Sequence, residues 1–179
     1  MSKDFEQEII QRVTNGDTDA FEYLIKKYEK QIFIMAANLL KMPDRIEDIV
    51  QDIFFNAYRN IKRYDPDLGQ FSTWLFRIAR NRCLNEIKRK KERSLPETNN
   101  IPEKGNPEND LMYKELLTRL DWSLDRLPYK HKVVFVLADL QGLSYEEIAQ
   151  IEEINTGTVK SRLFRARQKL RSTLEQYRR

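Results

Sequence analysis

The stretch from Gly142 to Arg171 limits the fold more than any other part of the chain. In Gly142-Leu143-Ser144-Tyr145-Glu146-Glu147-Ile148-Ala149 a serine is followed three residues later by a glutamate, the pair that satisfies the first free amides of a helix. Gly157 lies in the break before the next helical run. Along that run Val159, Leu163, Ala166, Leu170 and Leu174 recur at i, i+4, i+7, i+11 and i+15, which is one apolar face of an α-helix. Ser161, Phe164, Arg165 and Gln168 then point away from that face, flanked by Lys160, Arg162 and Lys169. Two helices joined by a short turn, the second cationic on its outer side, make a helix-turn-helix. From Lys160 to Arg179 eight cations face only Glu175, whereas a merely solvated face mixes its signs. Such a surface attracts phosphate, and Arg or Lys near the helix start can read the O6 and N7 edges of guanine.

Strand signals are weak elsewhere too. Glycine is scarce, and apolar residues recur at helical spacing almost throughout, so an all-α fold is expected. The longest apolar run, Ile32 to Leu40, is far short of the roughly 18 residues of a membrane span, and Met1-Ser2-Lys3-Asp4-Phe5-Glu6 has no apolar signal-peptide core. A cytoplasmic protein without membrane insertion is expected. The single Cys83 and the single His131 cannot make an internal disulfide or a zinc site, and are read as packing or surface residues. With no Gly-rich phosphate loop and no nucleophile elbow, the expectation is a binding protein with no cofactor, no metal and no catalytic residues.

Composition changes at Ser94–Asp110, which holds three of the six prolines and a net negative charge between two basic segments. It reads as a flexible acidic linker between two small helical domains, placed at 94–112, with the domains at 1–93 and 113–179. In the first, Phe21, Leu24, Ile25, Tyr28, Ile32 and Met35 mark a long helix. Asp44 is expected to cap a second, with Ile46, Ile49, Val50, Ile53 and Ala57 inward. Outward on that second helix stand Asp48, Gln51, Asp52, Phe55 and Arg59. An aromatic ring among carboxylates suits a protein partner better than phosphate. After the loop Tyr64–Gln70, a third run from Phe71 to the Lys88-Arg89-Lys90-Lys91 cluster carries Trp74, Arg77, Asn81, Asn85 and Lys88 in one strip. Rings stack on unpaired bases, amides bond base edges and cations follow the backbone. Trp74 is equally compatible with the core.

Two basic segments, an acidic docking helix and an acidic linker are the layout of a bacterial sigma factor. The chain resembles the extracytoplasmic-function (group IV) sigma factors of RNA polymerase, which keep only regions two and four. The motifs are Gly16-Asp17-x-x-Ala20-Phe21, Glu47-Asp48-Ile49-Val50-Gln51-Asp52-Ile53-Phe54, Phe71-Ser72-Thr73-Trp74-Leu75-x-x-Ile78-Ala79-Arg80-Asn81, Leu127-Pro128, the Gly142–Ala149 segment, and Gly157-Thr158-Val159-Lys160-Ser161-Arg162. Their shared order runs over nearly the full length.

The resemblance implies that Asp48, Gln51, Asp52 and Phe55 grip the clamp coiled coil of core RNA polymerase. It implies that Asn81 and the loop containing Asp65, Asp67 and Gln70 recognise the minus-ten element and hold a flipped-out base, beside the strip Trp74, Arg77, Asn85 and Lys88. Thr158, Lys160, Ser161, Arg162, Phe164 and Arg165 would read the minus-thirty-five element of promoter DNA. The linker would thread the RNA channel, and an anti-sigma factor would be a further partner. The family usually has Glu at the position of Asp52, often Pro-Val at Asn155-Thr156, and often a cation near Ala138. Two rival readings remain at this point: a dimeric regulator with the same helix-turn-helix, binding a palindrome unaided, and a helical adaptor that binds only proteins.

Overall fold

A computed structural model describes residues 3–40, 42–93, 120 and 122–175 of the 179-residue chain. The expected linker at 94–112, the start of the second domain and Arg178 and Arg179 lie outside the described residues. Among those described, every regular element is helical.

The first domain comprises α1 (Lys3–Thr14), α2 (Phe21–Leu39), α3 (Ile46–Asn60) and α4 (Phe71–Arg93). The periodicities seen in the sequence set their inner faces. Leu24, Ile32 and Met35 of α2, Ile49, Ile53 and Ala57 of α3, and Leu75, Ala79 and Cys83 of α4 are all buried together. Helix α1 adds Ile9, Ile10 and Val13 to this core. It is tied to α2 where the carboxylate of Glu6 accepts from the Tyr28 hydroxyl at 2.6 Å and pairs with Lys27. Asp44 does not cap α3. It falls inside a short 3₁₀ turn, Pro43–Arg45, and neither that turn nor α3 has a side-chain cap at its start.

The second domain comprises α5 (Tyr129–Phe135, continued by a π-helical turn Val136–Leu140), α6 (Tyr145–Glu152) and α7 (Thr156–Glu175). The capping box at α6 is formed: the Glu147 amide donates to Ser144 Oγ at 3.2 Å, and the Ser144 amide donates to Glu147 Oε2 at 2.8 Å. Glu153 ends α6 in the left-handed conformation, at φ 56°. Val159, Leu163, Ala166 and Leu170 of α7 are buried as the i, i+4, i+7 pattern requires; the side chain of Leu174 lies outside the described residues.

Gly157 is not in the break between the two helices but in the first turn of α7. Asn155 supplies the start, its Oδ1 accepting from the Thr158 amide at 2.7 Å and from the Thr158 hydroxyl at 2.9 Å. An Asn at this position satisfies an orphan helix amide, as Ser or Asp would. The departure from Pro-Val therefore leaves the helix with a defined beginning.

The two domains are packed on one another. Helix α6 lies against α4, and α5 with its π-helical turn lies against α2. The Gln141 side chain donates to the Gln31 carbonyl at 3.2 Å, and the Tyr129 hydroxyl to the Arg80 carbonyl at 3.4 Å. The buried apolar side chains of both domains form one continuous cluster.

Candidate docking and nucleic-acid-binding surfaces

Helix α3 turns its acidic side outward. Asp48, Gln51, Asp52 and Phe55 are all exposed, and the Phe55 ring, 59% exposed, has the Arg59 guanidinium over it, 5.6 Å from its centroid. Beside Phe55 a groove of about 550 Å³ runs between α2 and α3, walled by Phe21, Ile25, Val50, Phe54 and Tyr58, with Gln51 and Asp52 on its edge. An apolar trough rimmed by carboxylates takes an amphipathic helix with basic residues on its flanks.

Asp52 is not a free carboxylate. Arg82 of α4 donates to it through Nη2 at 3.0 Å and through Nε at 3.3 Å, and through Nη1 to Glu86 at 2.8 Å. Glu86 is buried and also receives Arg45 at 2.6 Å. The hydrogen bond from Arg82 holds the Glu86 carboxyl below the ordinary carboxylate range, against the opposing pull of burial and with further help from the Arg45 and Arg89 charges. Three helical segments are thus joined by charge directly under the acidic face of α3.

The strip on α4 is presented as its spacing predicts: Arg77, Asn81, Asn85 and Lys88 are exposed. Trp74 falls between the two sequence readings. It is half-buried, stacked at a tilt on Tyr64 (5.7 Å between centroids) and on Phe71 (5.5 Å), with part of its ring facing outward. The loop before α4 is a built turn. The Asp67 amide donates to Asp65 Oδ1 at 2.9 Å, the Leu68 amide to the Asp65 carbonyl at 3.2 Å, and the Tyr64 hydroxyl to the Gly69 carbonyl at 3.1 Å. Gly69, at φ 154°, allows the chain to leave this turn for α4. Asp65, Asp67 and Gln70 are exposed on it, and so is Leu68, at 79%.

On α7, Lys160, Ser161, Phe164 and Arg165 are exposed, Phe164 at 62%, while Thr158 and Arg162 are half-buried. The cations divide into two groups. Arg167 is engaged by Asp139 at 2.5 and 3.0 Å, Arg171 by Glu175 at 2.7 Å, and Arg162 by Glu152 at 3.4 Å. Lys160, Arg165 and Lys169 have no carboxylate within ion-pair distance among the described residues. The free cations therefore stand on the outer face with Phe164, which is where a groove-binding helix needs them. Cys83 is buried in the core and His131 is half-buried near α7, where burial, then the charges of Lys130, Arg165 and Arg162, hold its imidazole below the ordinary value.

Sequence reasoning left Arg80 and Glu152 unassigned, and the structure brings them together. Arg80 Nε donates to Glu152 Oε1 at 2.8 Å, and its Nη1 to the Asn81 amide oxygen at 2.8 Å. No local pattern in the sequence could have paired residues 72 positions apart.

Two family models match the chain: sigma-70 region 2 over residues 24–93 and sigma-70 region 4 over residues 117–170. The ECF RNA polymerase sigma-E factor of Haemophilus influenzae is 31% identical over 95% of this chain and 95% of its own. That of Escherichia coli K12 is 34% identical over 91% of each. The chain belongs to the extracytoplasmic-function sigma factors. It is an RNA polymerase sigma factor, directing promoter-specific transcription through core polymerase and promoter DNA. Among solved structures, the sigma factor RpoE of Bartonella quintana, crystallised with the anti-sigma factor NepR, has a TM-score of 0.66 and 26% identity, covering 97% of this chain and 98% of that one. CnrH, solved with the cytosolic domain of CnrY, has the same fold, with a TM-score of 0.72 at 24% identity over 93% of this chain and 95% of its own. No helix among the described residues of this sigma factor is long and apolar enough to cross a membrane.

Proposed function

We propose that residues 1–93 bind core polymerase, read the minus-ten element and open the strands, that 94–112 link this domain to the next, and that residues 113–179 read the minus-thirty-five element. The observation that carries this reading is the separation of charge over three outward faces. Asp48, Gln51, Asp52 and Phe55 on α3 present acid and one ring. The α4 strip and the outer side of α7 present cations, amides and aromatic edges. Carboxylates repel phosphate and cations attract it, so the first face is for protein and the other two are for nucleic acid.

Within the minus-ten surface, Asn81 and the turn bearing Asp65, Asp67 and Gln70 hold an extruded base. Trp74 offers the outward part of its ring for stacking, and Arg77, Asn85 and Lys88 follow the strand. Extruding a base costs a few kcal/mol, which binding in a shaped pocket offsets. Strand opening is driven by that binding, and the protein contributes no catalytic residue of its own. In the upstream surface, Lys160 and Arg165 reach base edges and phosphate, with Thr158, Ser161, Arg162 and Phe164 around them.

An anti-sigma factor is the further partner. The Bartonella quintana sigma factor, similar over almost the whole of this chain, was crystallised with one, which supports this reading together with the exposed groove at Phe55. The protein acts in the cytoplasm, where polymerase is.

Run-off transcription with purified core polymerase over a genomic promoter library tests the proposal. Transcripts from a discrete set of promoters sharing two spaced elements are expected. Transcription no more selective than that of core alone overturns it.

A further inference from the structure

Glu152 is the last residue of α6, and its side chain is only 3% exposed. It accepts from Arg80 of α4 through Oε1 at 2.8 Å and from Arg162 of α7 through Oε2 at 3.4 Å. Arg80 and Arg162 are themselves about four-fifths covered, at 21% and 22% exposure. A buried carboxylate is tolerated only when cations surround it. Here the two cations come from the two helices assigned to promoter DNA, one from each domain.

The surroundings reinforce the closure. The oxygen that Arg80 holds on its other side belongs to Asn81, at 2.8 Å. Gln150, two residues before Glu152, reaches the minus-ten loop: a Cβ at Gly69 would stand 3.3 Å from its Oε1. Helix α6 therefore lies over one flank of the minus-ten surface. Elements centred roughly 25 base pairs apart lie about 85 Å apart along the duplex at ~3.4 Å per step. Two arginines that share one carboxylate cannot serve both.

We propose that Glu152 is an internal stand-in for promoter phosphate, and that Arg80, like Arg162, is a backbone-contacting cation withheld from DNA until the domains separate. The inference rests on the assignment of α4 and α7 to DNA given above. The carboxylate offers each guanidinium the same kind of charged oxygen that a phosphate offers. Closing the latch hides two cations and fixes the reading helices at the wrong spacing. Opening it exposes both at once. Apparent affinity is then the intrinsic affinity reduced by the fraction of molecules that are open.

Removing the charge is the direct test. In Glu152→Gln the two guanidiniums face each other without a counter-charge, and the domains are driven apart. Full-length Glu152→Gln is expected to bind a random-sequence duplex about tenfold more tightly than the parent at low salt, and to have a larger hydrodynamic radius. Arg80→Gln should expand the chain with a smaller gain, because only Arg162 is then released. Equal duplex affinity of Glu152→Gln and the parent overturns the latch.

A second measurement does not depend on the fold tolerating a change at Glu152. Gln31→Cys with Gln141→Cys, joined by a short reducible crosslinker, ties the domains where the Gln141 side chain meets the Gln31 carbonyl. The native Cys83 is buried and takes no part. The tied protein is expected to lose run-off transcription with core polymerase and to regain it on reduction. Undiminished transcription in the tied state also overturns the proposal. If the parent transcribes selectively but neither effect occurs, the latch alone falls; if the parent shows no promoter selectivity, the underlying assignment falls.

Discussion

Arg82 on α4 holds Asp52 on α3, Nη2 to carboxylate at 3.0 Å, so a residue of the proposed polymerase-docking face is also part of the domain's internal charge network. Asp48, one turn earlier, has no such partner among the described residues. The side chain of Asp52 is 56% exposed and that of Arg82 16%, so the pair itself contributes at most about 1 kcal/mol. Its larger effect is on placement: it fixes where on α3 the Asp52 charge stands.

The two carboxylates should therefore respond differently to reversal. Asp48→Lys is expected to lose core binding in a pull-down with its melting temperature unchanged. Asp52→Lys is expected to lose core binding and also to melt about 2 to 4 °C lower, since a second cation then faces Arg82. Retained core binding by the double variant would remove α3 from the interface.

Arg165 is exposed and, among the described residues, has no carboxylate partner, in contrast to Arg167 and Arg171. Arg165→Ala should weaken recognition of the upstream element by about 1 to 3 kcal/mol if it makes a bidentate guanine contact, with the loss concentrated at one base position. A promoter-variant screen reads this directly. Arg171→Ala should leave the upstream preference as it was.

The cap of α7 makes a separate prediction. Asn155→Ala removes the acceptor for the Thr158 amide and is expected to cost about 1 kcal/mol of stability, whereas Asn155→Ser keeps most of it. Denaturant unfolding of the two variants distinguishes them. Equal loss in both would mean that the cap contributes nothing.

Alkaline pH should destabilise the fold through its buried acids. Burial pushes the Cys83 thiol from 9.0 up to about 12. It raises the Tyr28 hydroxyl further still, with the Glu6 hydrogen bond and charge adding to it. A group whose folded value is raised contributes stability below its unfolded value and loses it as pH climbs toward the folded one. Stability should begin to fall above about pH 9 and continue to fall to about pH 12. Cys83→Ala should flatten the first part of that decline, measured as unfolding free energy against pH.

Much of the candidate site was legible because it depends on local repeats. The 3.6-residue period placed Asp48, Gln51, Asp52 and Phe55 opposite the core of α3, and Arg77, Asn81, Asn85 and Lys88 in one strip of α4, and these residues are exposed. Helix α1 was less legible. Its buried apolar set is just Ile9, Ile10 and Val13, and the Glu6–Tyr28 hydrogen bond ties it to another helix. Asp44 and Gly157 misled for a related reason. Both have the composition of a boundary, but Pro43 draws Asp44 into a 3₁₀ turn and Asn155 starts α7 before Gly157.

By itself the sequence determined the helical class, the capping box at Ser144 and the division of charge between the outer face of α3 and those of α4 and α7. These follow from the spacing of residues within one helix, where geometry is the same in every protein. Only the tertiary structure decided that Trp74 is half-buried on Tyr64 and Phe71, that Asp52 is held by Arg82, and that Arg80 and Arg162 meet at Glu152. Those outcomes depend on how helices far apart in the chain settle against each other. An ion pair between residues 80 and 152 comes from the packing of two domains, and no local period encodes it.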